Sequence, residues 1–119
     1  MNTIFIVDDS DTNLTMAEEA LEDQYSVMTM PSAAKMFSLL EKMKPDLILL
    51  DIEMPEMNGF EALERLKANS ALAGIPVIFL TGTNNASVEE RASKLGAAGI
   101  VTKPFSPPTL LDSIQKNLK

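Results

Sequence analysis

The chain contains 119 residues, of which 45% are hydrophobic, and this is the size of one ordinary domain with a single core. We therefore predict one domain over residues 1–119. The net charge is -7 and the 10 basic residues are scattered along the chain, so we expect no direct binding to nucleic acid. Cysteine and histidine are absent, so any bound metal must be held by oxygen ligands.

The amino-terminal residues lack the basic stretch of a signal peptide and lead directly into a strand-like segment. The apolar runs of the sequence are too short to cross a bilayer. These two features predict a cytoplasmic location and no association with membranes.

Five strand-like segments alternate with five segments of helical periodicity. In chain order the strand-like segments are Ile4–Val7, Tyr25–Met30, Leu47–Leu50, Val77–Leu80 and Ile100–Thr102. The first, third and fourth are continuous apolar runs, which is typical of central parallel strands covered on both faces. The second and fifth are mixed or short, which favours the edge positions of the same sheet.

Apolar residues at helical spacing follow each strand-like segment. The five sets are Leu14, Ala17 and Leu21; Ala33, Met36, Phe37 and Leu40; Phe60, Leu63 and Leu66; Val88, Ala92 and Leu95; and Leu111, Ile114 and Leu118. Gly96 is predicted to end the fourth helix, and Ser106 with Pro107 to begin the fifth.

This alternation predicts an α/β fold with a five-stranded, doubly wound parallel sheet. With right-handed crossovers and the two weak strands at the edges, the simplest strand order is 2-1-3-4-5, the flavodoxin-like arrangement. Ligands of such sheets bind beyond the carboxyl ends of the strands, where the direction of winding reverses. Functional residues are therefore expected directly after the strand segments.

Polar residues follow four of the five strands: Asp8 and Asp9, Asp51, Thr81 and Lys103. Three carboxylates within roughly 5 Å of one another would repel by about 3 kcal/mol per pair at an effective dielectric constant near 20. Such a cluster requires a cation, and Mg²⁺ (or Mn²⁺) suits carboxylate ligands and a phosphoryl oxygen.

The same residues have complementary roles in phosphoryl transfer. A carboxylate such as that of Asp51 can attack phosphorus and form an acyl phosphate. The ammonium of Lys103 and the hydroxyl of Thr81 can then stabilise the phosphoryl oxygens. Taken singly, each residue also fits an ordinary turn, cap or surface position. Their occurrence together at converging strand ends favours the phosphate-acceptor interpretation.

Along essentially all of its length the sequence resembles the receiver domains of two-component response regulators. The resemblance is carried by Asp8-Asp9 after the first strand, by Thr81-Gly82 after the fourth, and by two longer blocks. These blocks are Leu49-Leu50-Asp51-Ile52-Glu53-Met54-Pro55-Glu56-Met57-Asn58-Gly59 and Gly96-Ala97-Ala98-Gly99-Ile100-Val101-Thr102-Lys103-Pro104-Phe105.

The resemblance implies that Asp51 is phosphorylated by a phosphohistidine on a histidine kinase or a histidine phosphotransfer protein. It implies that Asp9, Asp51 and the backbone carbonyl of Glu53 bind the metal directly, with Asp8 acting mainly through water. Thr81 and Lys103 would engage the phosphoryl group. The peptide bond between Lys103 and Pro104 would be cis.

Ile100 departs from the family pattern, which commonly has tyrosine or phenylalanine three residues before the lysine. An aliphatic side chain has no ring to swing inward, and we interpret Ile100 as an ordinary strand residue. We predict that phosphorylation repositions Thr81 but changes the face formed by the fourth helix, fifth strand and fifth helix only modestly. In this family the positions of Glu53 and Thr83 tune the rate of dephosphorylation.

Two other functions remain open on the sequence. Phe5 to Thr12 resembles the first motif of haloacid-dehalogenase-type phosphatases, with Asp9 as nucleophile and Asp11 as acid/base. That interpretation leaves Asp51 without a role and lacks an acidic residue between Glu90 and Asp112. The third function is a phosphorylation-independent interaction module, which the complete set of site residues argues against. The output partner is unknown, and the chain is either a stand-alone receiver or a fragment that lacks its effector domain.

Overall fold

The computed structural model describes residues 1–118, so that Lys119, the last residue of the predicted domain, lies outside the described part. Its five strands are β1 (Thr3–Val7), β2 (Ser26–Met30), β3 (Leu47–Asp51), β4 (Val77–Thr81) and β5 (Gly99–Thr102). Its five helices are α1 (Asp11–Leu21), α2 (Ala33–Leu40), α3 (Gly59–Ala68), α4 (Ala86–Leu95) and α5 (Pro107–Asn117).

The strands form one parallel sheet in the order β2-β1-β3-β4-β5. This confirms the predicted α/β fold and strand order. The winding direction reverses between β1 and β3, so the carboxyl ends of these two strands border the switch point.

The sheet separates two layers of apolar side chains, because successive residues of a strand point to opposite faces. In β1, Phe5 and Val7 belong to one layer, whereas Ile4 and Ile6 belong to the other. Helices α2, α3 and α4 contribute buried residues to the first layer, and α1 and α5 contribute them to the second. The sheet is therefore packed between helices on both faces.

The structure differs from the predicted segments at two strand ends that bear on function. Asp51 and Thr81 are the last residues of β3 and β4, rather than the first residues after them. The ladder continues through both, since Asp51 pairs with Leu80 and Thr81 pairs with Thr102. Backbone pairing thus extends one residue beyond each apolar run, and it fixes the backbone beneath both polar side chains.

The predicted helix signals are confirmed where the structure tests them. The Ser106 side chain caps α5, which starts at Pro107, and Gly96 ends α4 with a φ of 87°. The predicted apolar face of α5 was incomplete, because Leu110 is fully buried, while Leu111 and Leu118 are half-buried and pack against the same layer as Ile114. Two adjacent leucines fit the same periodicity, so only packing decides between them. Within residues 1–118, no helix has the length and apolar character needed to cross a membrane.

Candidate functional site

The carboxyl ends of the strands bring three of the predicted residues into direct contact. The Lys103 ammonium Nζ donates hydrogen bonds to Asp8 Oδ2 at 3.1 Å and to Asp51 Oδ1 at 2.9 Å. The Lys103 backbone N–H also donates to the Thr81 carbonyl at 2.8 Å, which continues the sheet pairing past β5. Residues that are 52 and 95 positions apart in sequence therefore meet around one cation.

Three carboxylates form a cluster that fits a hard divalent cation. One oxygen from each of Asp8, Asp9 and Asp51 lies within 4.8 Å of the others. Asp8 and Asp51 are buried, whereas Asp9 is exposed and leaves the cluster open to solvent on its side. Carboxylate oxygens with access to water are what Mg²⁺ prefers, because this ion keeps several waters when it binds protein. The donor set thus fits the predicted metal.

Asp8 is held in place by both of its oxygens. Its Oδ1 accepts a hydrogen bond from the Ser10 backbone N–H at 2.9 Å, and its Oδ2 accepts one from Lys103. Ser10 is in turn the N-cap of α1, where its hydroxyl accepts from the Asn13 N–H. Helix α1 therefore starts at Asp11, and its cap fixes the loop that carries Asp8 and Asp9.

Asp51 is 2% exposed, and this burial dominates its titration. Burial disfavours the charged carboxylate and, with a contribution from the nearby Asp8 charge, outweighs the Lys103 hydrogen bond, raising the pKa of Asp51 to about 6. At neutral pH the group is still mainly a carboxylate. It is therefore available as a nucleophile, and any added positive charge nearby would stabilise its ionised form.

The two oxygens of Asp51 have different surroundings. Oδ1 is bound by Lys103, whereas no residue of the described chain donates a hydrogen bond to Oδ2. Across residues 1–118, no buried side-chain nitrogen or oxygen lacks a hydrogen-bond partner. Oδ2 is therefore not fully enclosed by the protein, although Asp51 as a whole is only 2% exposed.

Lys103 is kept charged by its two partners. Partial burial lowers the pKa of its ammonium, but the hydrogen bonds to Asp51 and Asp8 outweigh that effect and raise it overall. With one cation against two buried carboxylates, the site retains an excess of negative charge. This excess favours the binding of a further cation.

The Thr81 hydroxyl lies at the same edge but is occupied by the loop that follows β4. It donates a hydrogen bond to the Thr83 carbonyl at 2.7 Å and accepts one from the Thr83 N–H at 3.0 Å. Thr81 is buried and Thr83 is exposed. The hydroxyl thus lies at the end of the strand next to β3, and both of its hydrogen bonds go to Thr83.

The structure also describes three further predicted positions. Glu53 is exposed in the loop after β3, and Ile100 is half-buried in β5, beside α4. The peptide bond between Lys103 and Pro104 is cis. The roles assigned to these residues, like those of the central ones, remain predictions.

Gly59 is a site residue whose role sequence reasoning missed. A Cβ atom at this position would lie 2.5 Å from the Asp51 carbonyl oxygen and 2.8 Å from the Ile52 Cα. The Gly59 N–H also donates to the Ile52 carbonyl at 2.8 Å. Only glycine lets the start of α3 pack this closely against the end of β3. The signal was present as the Asn58-Gly59 pair, because Asn58 is the N-cap of α3.

The sequence profile of the response regulator receiver domain matches residues 4–115. A probable cyclic di-GMP phosphodiesterase of Vibrio cholerae is 39% identical over 98% of this chain, but the match spans only 26% of that protein. This chain therefore covers about a quarter of the length of that relative. The polar-differentiation response regulator DivK of Brucella ovis is 32% identical, over 98% of this chain and 95% of DivK.

A solved structure gives the same result. The chemotaxis protein CheY4 of Vibrio cholerae superposes with a TM-score of 0.94 at 31% identity, covering 99% of both chains. Profile, relatives and fold agree over nearly all of the sequence. The chain belongs to the response regulator receiver domain family.

Proposed function

We propose that residues 1–119 form one receiver domain in which Asp51 accepts a phosphoryl group from a phosphohistidine. The donor is a histidine kinase or a histidine phosphotransfer protein, the partners with which this family interacts. The observation that carries the proposal is the asymmetry of Asp51. Lys103 binds Oδ1 at 2.9 Å, while no protein donor binds Oδ2, and Asp8 and Asp9 bring two further carboxylates into the same cluster.

Receiver domains typically bind Mg²⁺ through a cluster of aspartates, and this chain has such a cluster. We assign the metal, Mg²⁺ or Mn²⁺, to Asp8, Asp9, Asp51 and the backbone carbonyl of Glu53. When bound, the ion supplies positive charge that neutralises the carboxylates and a phosphoryl oxygen. With such an ion in place, the carboxylates of the cluster would repel one another less.

The chemical step uses Asp51 as nucleophile. Oδ2 attacks phosphorus and forms a P–O bond, while the P–N bond to the donor imidazole breaks and its electron pair stays on that nitrogen. The product is an acyl phosphate on Asp51 and a histidine without phosphate. Lys103, already bound to Oδ1, lies where its ammonium can bind a phosphoryl oxygen as charge develops there.

Thr81 supplies the signal that phosphorylation has occurred. Its hydroxyl can donate one hydrogen bond, and in this structure it donates to the Thr83 carbonyl. A phosphoryl oxygen on Asp51 is a stronger acceptor than a neutral carbonyl, because it is charged. Thr81 therefore turns toward the phosphoryl group and releases the loop that leads into α4. The conformational change then reaches the face formed by α4, β5 and α5.

The output is carried by another protein or by an effector domain joined to this one. Both arrangements occur among relatives, since DivK is matched over 95% of its length and the Vibrio cholerae phosphodiesterase over 26%. Glu53 and Thr83 are both exposed beside the site. We assign them to the control of how fast water removes the phosphoryl group.

The phosphatase alternative is not favoured. It makes Asp9 the nucleophile, but Asp9 is the exposed member of the cluster, and Lys103 contacts Asp8 and Asp51. Family membership supports a signalling switch. Turnover of a phosphate ester that is lost in Asp9→Asn and kept in Asp51→Asn would restore the phosphatase interpretation.

The direct test is incubation of the purified protein with Mg²⁺ and a small phosphodonor, followed by intact mass measurement. We expect the wild type to gain one phosphoryl group and Asp51→Asn to gain none. Omission of Mg²⁺ should abolish the gain in the wild type. An unmodified wild type, in a sample shown to bind Mg²⁺, would refute the proposed function.

A further inference from the structure

We propose that the hydrogen bond between Asn84 and Thr102 is a clasp that sets how readily the switch turns on. The clasp holds the loop between β4 and α4, residues 82–85, in its resting arrangement. Asn84 and Thr102 are then positioning residues that act through Thr81. This inference rests on the proposed function.

The first step of the argument is that the loop must move when Thr81 does. Thr81 is tied to Thr83 by two hydrogen bonds, one donated by the hydroxyl and one accepted by it. Turning the hydroxyl toward Asp51 breaks both bonds at once. The backbone at Thr83 then loses its tie to β4, and the loop becomes free to rearrange.

The second step is that the clasp joins this loop to the neighbouring strand. Asn84 Nδ2 donates to Thr102 Oγ1 at 3.3 Å. Thr102 pairs with Thr81 in the sheet and directly precedes Lys103. The clasp therefore joins the loop that follows Thr81 to the strand that leads into Lys103. In the described part of the chain, no other side chain of the loop bonds to β5.

The third step is that packing gives little other restraint at this place. The loop residues 82–85 are all exposed, and an open groove of about 280 Å³ lies beside the clasp, between α4 and β5. Its lining combines the polar Glu89 and Ser93 with Ala92, Ala97, Gly99 and Ile100, and it includes no aromatic ring. The loop has room to move on this side, and once the Thr81–Thr83 bonds break, the clasp is the remaining side-chain bond from the loop to β5 that opposes the movement.

Removing the clasp should therefore favour the arrangement that binds a phosphoryl group. An exposed hydrogen bond of this length is among the weaker ones, so we expect a gain of about threefold in the apparent affinity for a phosphoryl mimic. Affinity for Mg²⁺ alone should not change, because the metal ligands lie on β1 and β3 and in the loops that follow them. A general loss of structure would not produce this combination.

The experiment titrates beryllofluoride, an anion that mimics aspartyl phosphate, in the presence of saturating Mg²⁺. The variants are Asn84→Ala, Thr102→Val and the two together, with Thr102→Ser as the variant that keeps the hydroxyl. Thr29→Val is the matched control, since Thr29 is an exposed threonine on the opposite edge strand. Each protein is also titrated with Mg²⁺ alone.

We expect Asn84→Ala, Thr102→Val and the double variant to bind beryllofluoride about threefold more tightly, with no further gain on combination. Thr102→Ser and Thr29→Val should match the wild type. Unchanged or weaker binding by the single variants, or gains that multiply in the double variant, would overturn the clasp. If the wild type binds Mg²⁺ but not beryllofluoride, the proposed function fails as well.

Discussion

Replacing Asp51 by asparagine should stabilise the metal-free protein at neutral pH, although it removes the residue on which the proposed function depends. Asp51 is 2% exposed, and burial raises its pKa to about 6 from 3.8. The folded state therefore binds the Asp51 proton more tightly than the unfolded state does. The stability that this gives is fully present below the unfolded pKa and is lost as the pH rises through the folded pKa.

The magnitude follows from the size of the shift. One pKa unit corresponds to about 1.4 kcal/mol, so that the ionised Asp51 costs about 3 kcal/mol of folding free energy above pH 6. Asparagine keeps the shape of the side chain without the charge. We expect the free energy of unfolding of Asp51→Asn to exceed that of the wild type by about 2 to 3 kcal/mol near pH 7.5, and by less than about 1 kcal/mol near pH 4.

Urea unfolding followed by circular dichroism, without metal and at both pH values, measures this difference. Asp23→Asn removes an exposed carboxylate and should unfold like the wild type throughout. Mg²⁺ at about 100 times its dissociation constant should stabilise the wild type by about 2.7 kcal/mol and the variant by less. A variant that is less stable than the wild type without metal, or a difference that does not depend on pH, would refute this account of the site.

Two further substitutions and one chemical-shift measurement test separate parts of the structure. Gly59→Ala places a Cβ against the Asp51 carbonyl and should cost about 2 to 3 kcal/mol of stability. Gly74→Ala is the control and should cost little, because no atom lies within 4 Å of the added carbon. Equal costs in urea unfolding would contradict the packing argument. Lys103→Met should tighten Mg²⁺ binding about tenfold, as expected for one positive charge removed roughly 6 Å from a divalent ion in water. It should also slow phosphorylation at least about tenfold, because the phosphoryl oxygens lose a stabilising ammonium. If neither value changed, Lys103 would not have the phosphoryl-binding role assigned to it. Chemical shifts at Ile100 should change less on phosphorylation than those around Asp51. Changes of equal size would show that Ile100 responds to phosphorylation as strongly as the site itself.

The fold could be predicted because its central strands carry a strong signal. Runs such as Leu47–Leu50 are buried on both faces, and no polar residue interrupts them. The strand ends were one residue off at Asp51 and Thr81, because backbone pairing continues under a polar side chain when its neighbours are still paired. Hydropathy detects burial, and it does not detect the backbone ladder.

The central site could be predicted because topology brings the strand ends together whatever their sequence separation. The contacts that were missed depend on local geometry instead. Gly59 is needed for a close approach of two backbones, and the Asn84–Thr102 bond depends on two side-chain rotamers. Glu56 adopts a φ of 69° without being glycine, which the sequence does not signal. Such features depend on how the folded chain packs, and they produce no periodic pattern in the sequence.

The central claim is that Asp51, and no other carboxylate of the cluster, accepts the phosphoryl group. The most direct measurement is reduction of the phosphorylated protein with borohydride, which converts an aspartyl phosphate to homoserine, followed by peptide mass spectrometry. We predict homoserine at position 51 and unmodified aspartate at Asp8 and Asp9. Homoserine at position 9 would support the phosphatase interpretation, and the absence of homoserine from a sample that carries a phosphoryl group would contradict an acyl phosphate altogether.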